Sequence, residues 1–117
     1  MGWGSETTEN KTSVTSTEQF SANITLNPGE LAHIEVDANP AASPSYDLVV
    51  SVYGSLDQTN YDDTPLYSFT IDKDTDPNQV GFVVSGLYSF RVGVKVNGAS
   101  STYTGVDINW RKDGVNL

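Results

Sequence analysis

The stretch Gly86-Leu87-Tyr88-Ser89-Phe90-Arg91-Val92-Gly93-Val94-Lys95-Val96-Asn97-Gly98 alternates apolar and polar residues and is punctuated by glycine at both ends. Phe90, Val92, Val94 and Val96 fall on one side, and Ser89, Arg91, Gly93, Lys95 and Asn97 on the other. A period of two belongs to a strand with one buried face. This segment is therefore expected to be a central strand, and the rest of the chain must supply the sheet that flanks it and the layer that covers it.

Shorter segments repeat the pattern. Phe20-Ser21-Ala22-Asn23-Ile24-Thr25-Leu26 alternates and runs into Asn27-Pro28-Gly29-Glu30, where proline presets the second turn position and glycine supplies a positive φ at the third. A strand follows with Ala32, Ile34 and Val36 inward and His33, Glu35 and Asp37 outward, and the tight turn makes these two strands neighbours in one sheet. The prolines of Asn39-Pro40-Ala41-Ala42-Ser43-Pro44-Ser45 end the ladder. The next strand, from Asp47, sends Leu48, Val50, Val52 and Leu56 inward. After it come a strand with Tyr67, Phe69 and Ile71 inward, a short one over Val80-Gly81-Phe82-Val83-Val84, the central strand, and a last one from Tyr103 with Val106, Ile108 and Trp110 inward. Seven short strands with no sustained helical period predict an all-β fold, a seven-stranded antiparallel β-sandwich. Residues 1–18 form an extended polar arm, 19–112 the sandwich and 113–117 a tail.

Several function classes are excluded or disfavoured. The 117 residues suffice for one domain. The absence of cysteine removes disulfides, thiol nucleophiles and cysteine metal sites. Six Lys and Arg against 15 Asp and Glu, a formal net charge of -9, repel phosphate backbones, so nucleic acid is not an expected partner. No apolar run reaches the ~20 residues that span a bilayer, and the first residues lack a secretory pattern, so no membrane partner is expected. No cofactor motif is present. Asn10-Lys11-Thr12 and Asn23-Ile24-Thr25 match the glycosylation pattern, which without an export signal reads as chance.

In the arm, Ser, Thr, Glu and Asn are interrupted by Trp3 and Val14, and the tail closes on Val115 and Leu117. Those four are the candidate partner-binding residues, because a large aromatic on a polar arm is the kind of anchor that fills a partner's pocket. The bland alternative is that Trp3 frays.

Asp72, Asp74 and Asp76 place three carboxylates at alternate positions, a spacing that can gather oxygens round Ca²⁺. Pro77 stands where a calcium loop needs glycine and Val83 where it needs a bidentate glutamate, so a solvated turn is the stronger reading and no metal is expected. A second acidic loop, with Asp57, Asp62 and Asp63, joins the first only if both lie at one end of the sandwich. His33 is the sole histidine and points outward, which leaves it without an imidazole partner. No paired carboxylates face each other across a recognisable cleft, and no enzyme is expected. Tyr46, Tyr61 and Tyr103 lie in or next to loops, where coplanar exposed rings would make a sugar platform and buried rings would remove the idea.

At Ser85-Gly86-Leu87-Tyr88-Ser89-Phe90 the sequence resembles the corner that opens strand F of immunoglobulin-like domains, with Tyr88 at the tyrosine site and Phe90 where antibody domains place cysteine. With no cysteine and no tryptophan on the third strand, the resemblance implies an immunoglobulin-like sandwich in the broad sense only. Over most of the domain, the Pro-Gly turn, Asp-Leu-Val-Val-Ser-Val-Tyr, Asp-Asp-Thr-Pro, Ser-Gly-Leu-Tyr-Ser-Phe-Arg-Val-Gly-Val and Arg111-Lys112-Asp113-Gly114 are similar to small virion proteins of tailed bacteriophages. That resemblance implies a non-enzymatic structural protein made and assembled in the host cytoplasm. It would reside in the virion and decorate or stabilise the capsid through its arm. Its partner would be the major capsid protein or another virion protein, together with further copies of itself. The alternatives are a tail or neck component, or an immunoglobulin-like adhesion or carbohydrate-binding module.

Overall fold

The computed structural model describes residues 2–40, 46–74, 78–98 and 102–114, with the backbone alone at residues 2, 3, 39 and 40. Its strands, in chain order, are β1 (Gly2–Trp3), β2 (Thr7–Val14), β3 (Gln19–Phe20), β4 (Ile24–Thr25), β5 (Leu31–Pro40), β6 (Leu48–Ser55), β7 (Tyr67–Ile71), β8 (Gln79–Ser85), β9 (Ser89–Val96) and β10 (Tyr103–Gly114). All pairings are antiparallel among the described residues. The expected all-β antiparallel sandwich is what the chain forms, with more strand segments than the seven read from the sequence.

The wiring differs from the expected one. One sheet runs β2-β10-β5-β8, with β1 beside the end of β10; the other runs β3-β9-β6-β7, with β4 beside β9. From β2 onward, successive strands lie in opposite sheets except at the β3–β4 step and the β6–β7 hairpin. Two sheets four strands wide joined in this order make a jelly roll, whereas an immunoglobulin-like sandwich keeps its last two strands side by side in one sheet. Here β9 and β10 lie in opposite sheets. The Pro28–Gly29 turn forms as expected, with Gly29 at φ 81° and Glu30 N–H donating to Asn27 O at 2.9 Å. It joins β4 and β5 across the sandwich rather than within a sheet, because the same turn chemistry serves either path.

The core is the set of inward positions on the long strands. Ala32, Ile34, Val36, Leu48, Val50, Val52, Phe90, Val92, Val94, Val96, Val106 and Ile108 are buried, as their alternation requires. Each such aliphatic or aromatic burial contributes roughly 1.5–3 kcal/mol before chain entropy is subtracted. Two expectations fail at strand ends and edges. Leu56, one residue past β6, is 93% exposed. Tyr67 opens the edge strand β7 and is half exposed, whereas Phe69 and Trp110 are partly buried and pack against the core. Tyr88 does not make a tyrosine corner: it is half exposed, and its hydroxyl accepts a hydrogen bond from Gln58 Nε2 at 2.7 Å. The glycine turn beside it is present, with Gly86 at φ 78°.

Candidate assembly surfaces

The arm is extended and is laid along β10 as an edge strand. Register runs from Tyr103↔Val14 to Trp110↔Thr7, then resumes at Trp3↔Asp113 and Gly2↔Gly114. Arg111 fastens the link between β1 and β2, donating to Gly4 O at 3.3 Å and pairing with Glu6 at 3.5 Å. Trp3 is thus placed by its backbone beside Asp113, at the end of the sandwich where β10 finishes. Val14 is fully buried in the core, so in this arrangement it meets its own sandwich. Val115, Leu117 and Asp76 lie outside the described residues.

Register also separates the two acidic loops. Asp72 follows Ile71, which pairs with Leu48 at the start of β6, while Asp57 follows Ser55 at its end. The loops sit at opposite ends and cannot pool their carboxylates. At the first, Asp72 Oδ1 accepts from Asp74 N–H at 2.8 Å, and Asp74 pairs with Lys73 at 2.9 Å. At the second, Asp57 is held well below the usual carboxylate range by the Asn60 N–H, the Asn60 side-chain amide, the Thr59 N–H and the Ser55 hydroxyl. Among the described residues no group of His, Asp and Glu has the arrangement of a metal site. The tyrosines form no common platform. Tyr103 is buried with its hydroxyl donating to Tyr46 O at 3.1 Å, and Tyr61 bridges to Ser55 at the other end.

The two outer faces differ in chemistry. On the β2-β10-β5-β8 sheet a shallow hollow of about 240 Å³ is lined by His33, Glu35, Asp37, Asp107 and Asn109, among others. Two of its carboxylates are held by carboxamides of the same sheet: Asn109 Nδ2 donates to Asp37 at 3.1 Å and Asn10 Nδ2 to Asp107 at 2.6 Å. His33 is exposed and stands opposite Arg111 in register.

On the other sheet the Arg91 guanidinium lies between two rings, 3.7 Å from the Phe20 centroid and 4.1 Å from that of Tyr61. Such cation–π contacts contribute about 1 kcal/mol or more as the cation loses water. Tyr53 meets Phe20 edge-on and donates to both carboxylate oxygens of Glu18 at 3.0 Å. Gly93 makes room for this lid, since a Cβ there would collide with the Glu18 carboxylate and crowd Phe20. The clamp went unread in the sequence because Phe20, Tyr61 and Arg91 meet only through strand pairing; the available signal was the glycine interrupting an otherwise bulky strand.

The four sheet edges are unequally protected. On one flank, β2 carries Glu9 and Lys11, an ion pair at 3.4 Å, and the facing edge is broken into β3 and β4 of two residues each. Charges and interruptions of this kind block strand-to-strand association. On the other flank lie β7 and β8, tied across the sandwich by Phe69 and Phe82, whose rings stack at 4.6 Å. The β8 sequence, Gln-Val-Gly-Phe-Val-Val-Ser, has no charge and no proline, and it pairs with β5 without a register shift from Leu31↔Ser85 to Asp37↔Gln79. Among the described residues nothing pairs with its outer edge. Val83, on this strand, is 56% exposed.

An open apolar cleft of about 590 Å³ lies at the end of the sandwich where β10 finishes, between the 27–30 and 85–88 turns; its lining includes Leu26, Pro28, Leu31, Leu87 and Tyr88.

These features define an all-β jelly-roll domain with one guarded flank and one open one. No family model matches the chain, and no curated protein sequence matches it. Among solved structures it is similar to a chain of Bacillus endospore appendages, described as a novel family of disulfide-linked pili. The TM-score is 0.62 over 96% of this chain and 87% of that one, at 11% identity. At that identity the likeness shows the fold. The disulfide linkage is a property of those pili, and the present sequence has no cysteine to form one.

Proposed function

We propose that this chain is a non-enzymatic structural subunit whose copies associate through the open β7–β8 flank, with β8 pairing to a strand edge of a neighbouring copy. The observation that carries the reading is the β8 edge itself: seven uncharged residues, without proline or bulge, whose outward backbone groups face no strand among the described residues, beside exposed Val83. An edge of this kind on a soluble domain is a template for another chain, and the flank opposite shows that the same molecule guards an edge elsewhere. The fold shared with a pilus-type appendage protein supports an assembled structure as the setting, and extracellular display goes with it. The phage resemblance favours a virion surface, with the major capsid protein as partner. Both settings need a subunit that joins others by non-covalent contacts, and the appendage reading has the fold comparison on its side.

The test is light scattering coupled to size exclusion over a range of concentrations. The wild-type protein is expected to form species larger than a monomer as concentration rises. Val83→Lys combined with Gln79→Lys, both at exposed positions, is expected to remain monomeric with an unchanged melting temperature. A wild type that stays monomeric throughout, or a doubly charged variant that assembles as well as the wild type, overturns the reading.

A further inference from the structure

A second contact between copies is suggested by the arm. Of the eight side chains of β2 only Val14 is buried. Glu9 and Lys11 take partly buried positions as an ion pair, with Glu9 accepting from Ala22 N–H at 2.8 Å, so the arm closes the flank with polar groups rather than filling the core. What holds it is the backbone ladder to β10, the bonds Thr8–Asn109 at 2.8 Å and Asn10–Asp107 at 2.6 Å, and Val14. These contacts are to β10 and the core, and the Glu9–Ala22 and Gln19–Ser13 bonds tie the arm to the β3–β4 region; all are reproduced if the strand comes from another molecule.

The link from β2 to the body is short. Within the strand, Ser13 has φ 55°, between Thr12 and Val14, which both pair with β10. Residues 15–18 then carry the chain across to the other sheet, held by Val96 N–H donating to Thr15 O at 2.8 Å. An edge strand with one apolar anchor, followed by a link of only four residues, favours exchange of that strand between identical copies. Exchange preserves the ladder, and its remaining cost is the entropy of association, which falls as concentration rises.

We propose that in the assembled state β1 and β2 are exchanged, the arm of one copy completing the β10 edge of another. The occupant is a second copy because the ladder and the Thr8–Asn109 and Asn10–Asp107 pairs are specified by this chain's own sequence. Passed on from copy to copy, the exchange links subunits into an open chain without any covalent bond; reciprocated, it makes a dimer. The inference goes beyond the β8 contact and does not require it.

The test uses the absence of native cysteine. Asn10→Cys and Asp107→Cys stand directly opposite each other in register. The double variant, dilute and oxidised, is expected to close an internal disulfide, which shows that the pair can form. The two single variants are then mixed, unfolded, refolded together at high concentration and oxidised. Exchange predicts a disulfide-linked heterodimer in the mixture and none in either variant alone, lost on reduction. If the internal disulfide forms in the double variant but the concentrated mixture gives no heterodimer, the arm stays at home and the proposal is overturned. Assemblies that persist without heterodimer leave the β8 contact standing, while heterodimer formed by chains that also carry Val83→Lys and Gln79→Lys shows exchange acting independently of that edge.

Discussion

Tyr53 donates its hydroxyl hydrogen to Glu18 and lies against Phe20, under the same lid that sandwiches Arg91. Burial first, and then the hydrogen bond to and negative charge of Glu18, raise its pKa above the ordinary value. Tyr103 is raised as well, by burial and then by the charges of Asp47, Asp72 and Asp74. A raised folded-state value means that the folded protein keeps these protons after the unfolded chain has begun to lose them. Their contribution to stability is therefore complete below about pH 10 and is lost as pH rises through the raised values. Thermal unfolding is expected to show a lower midpoint at pH 11 than at pH 9, and Tyr53→Phe, which has no phenol to titrate, is expected to shrink that drop. An equal drop in the variant would mean that Tyr53 carries none of the alkaline sensitivity.

At the scale of elements, the turns decide where each strand goes. Gly86 sits at φ 78° between β8 and β9, and a Cβ there would meet nothing within 4 Å. The cost of Gly86→Ala is consequently backbone strain alone, about 1 kcal/mol, and Gly86→Asn should recover part of it because asparagine tolerates the left-handed region. Urea denaturation midpoints check the order Gly, Asn, Ala; a neutral alanine variant would contradict it. The strands that alternate over a fully covered face were legible from sequence: Ala32 to Val36, Leu48 to Val52, Phe90 to Val96, Val106 and Ile108. Leu56 and Tyr67 were not, because burial at a strand end or sheet edge depends on what lies beside it rather than on the period. The wiring was not legible either, since Pro28-Gly29 turns a chain equally well within a sheet or across the sandwich. The arm's polar composition concealed a strand because its stability comes from pairing with β10, and composition records only what a segment can bury for itself.

For the whole molecule, the extents of 49 × 28 × 19 Å describe an elongated, flattened sandwich with different chemistry on each side. One flank is guarded by Glu9, Lys11 and a broken edge, the other presents β7 and β8 with no strand paired to their outer edges among the described residues. Without cysteine, any linkage between copies of this chain rests on packing and hydrogen bonds, so assembly should respond to concentration and to edge charge. The most direct measurement is amide hydrogen exchange along β8, Gln79 to Ser85, in dilute monomer and in concentrated, assembled protein, with β9 as the internal reference. Association through this edge predicts that β8 amides exchanging readily in the monomer become protected on assembly, while β9 is protected in both states. Assembled protein in which β8 exchanges as fast as in the monomer would contradict the account.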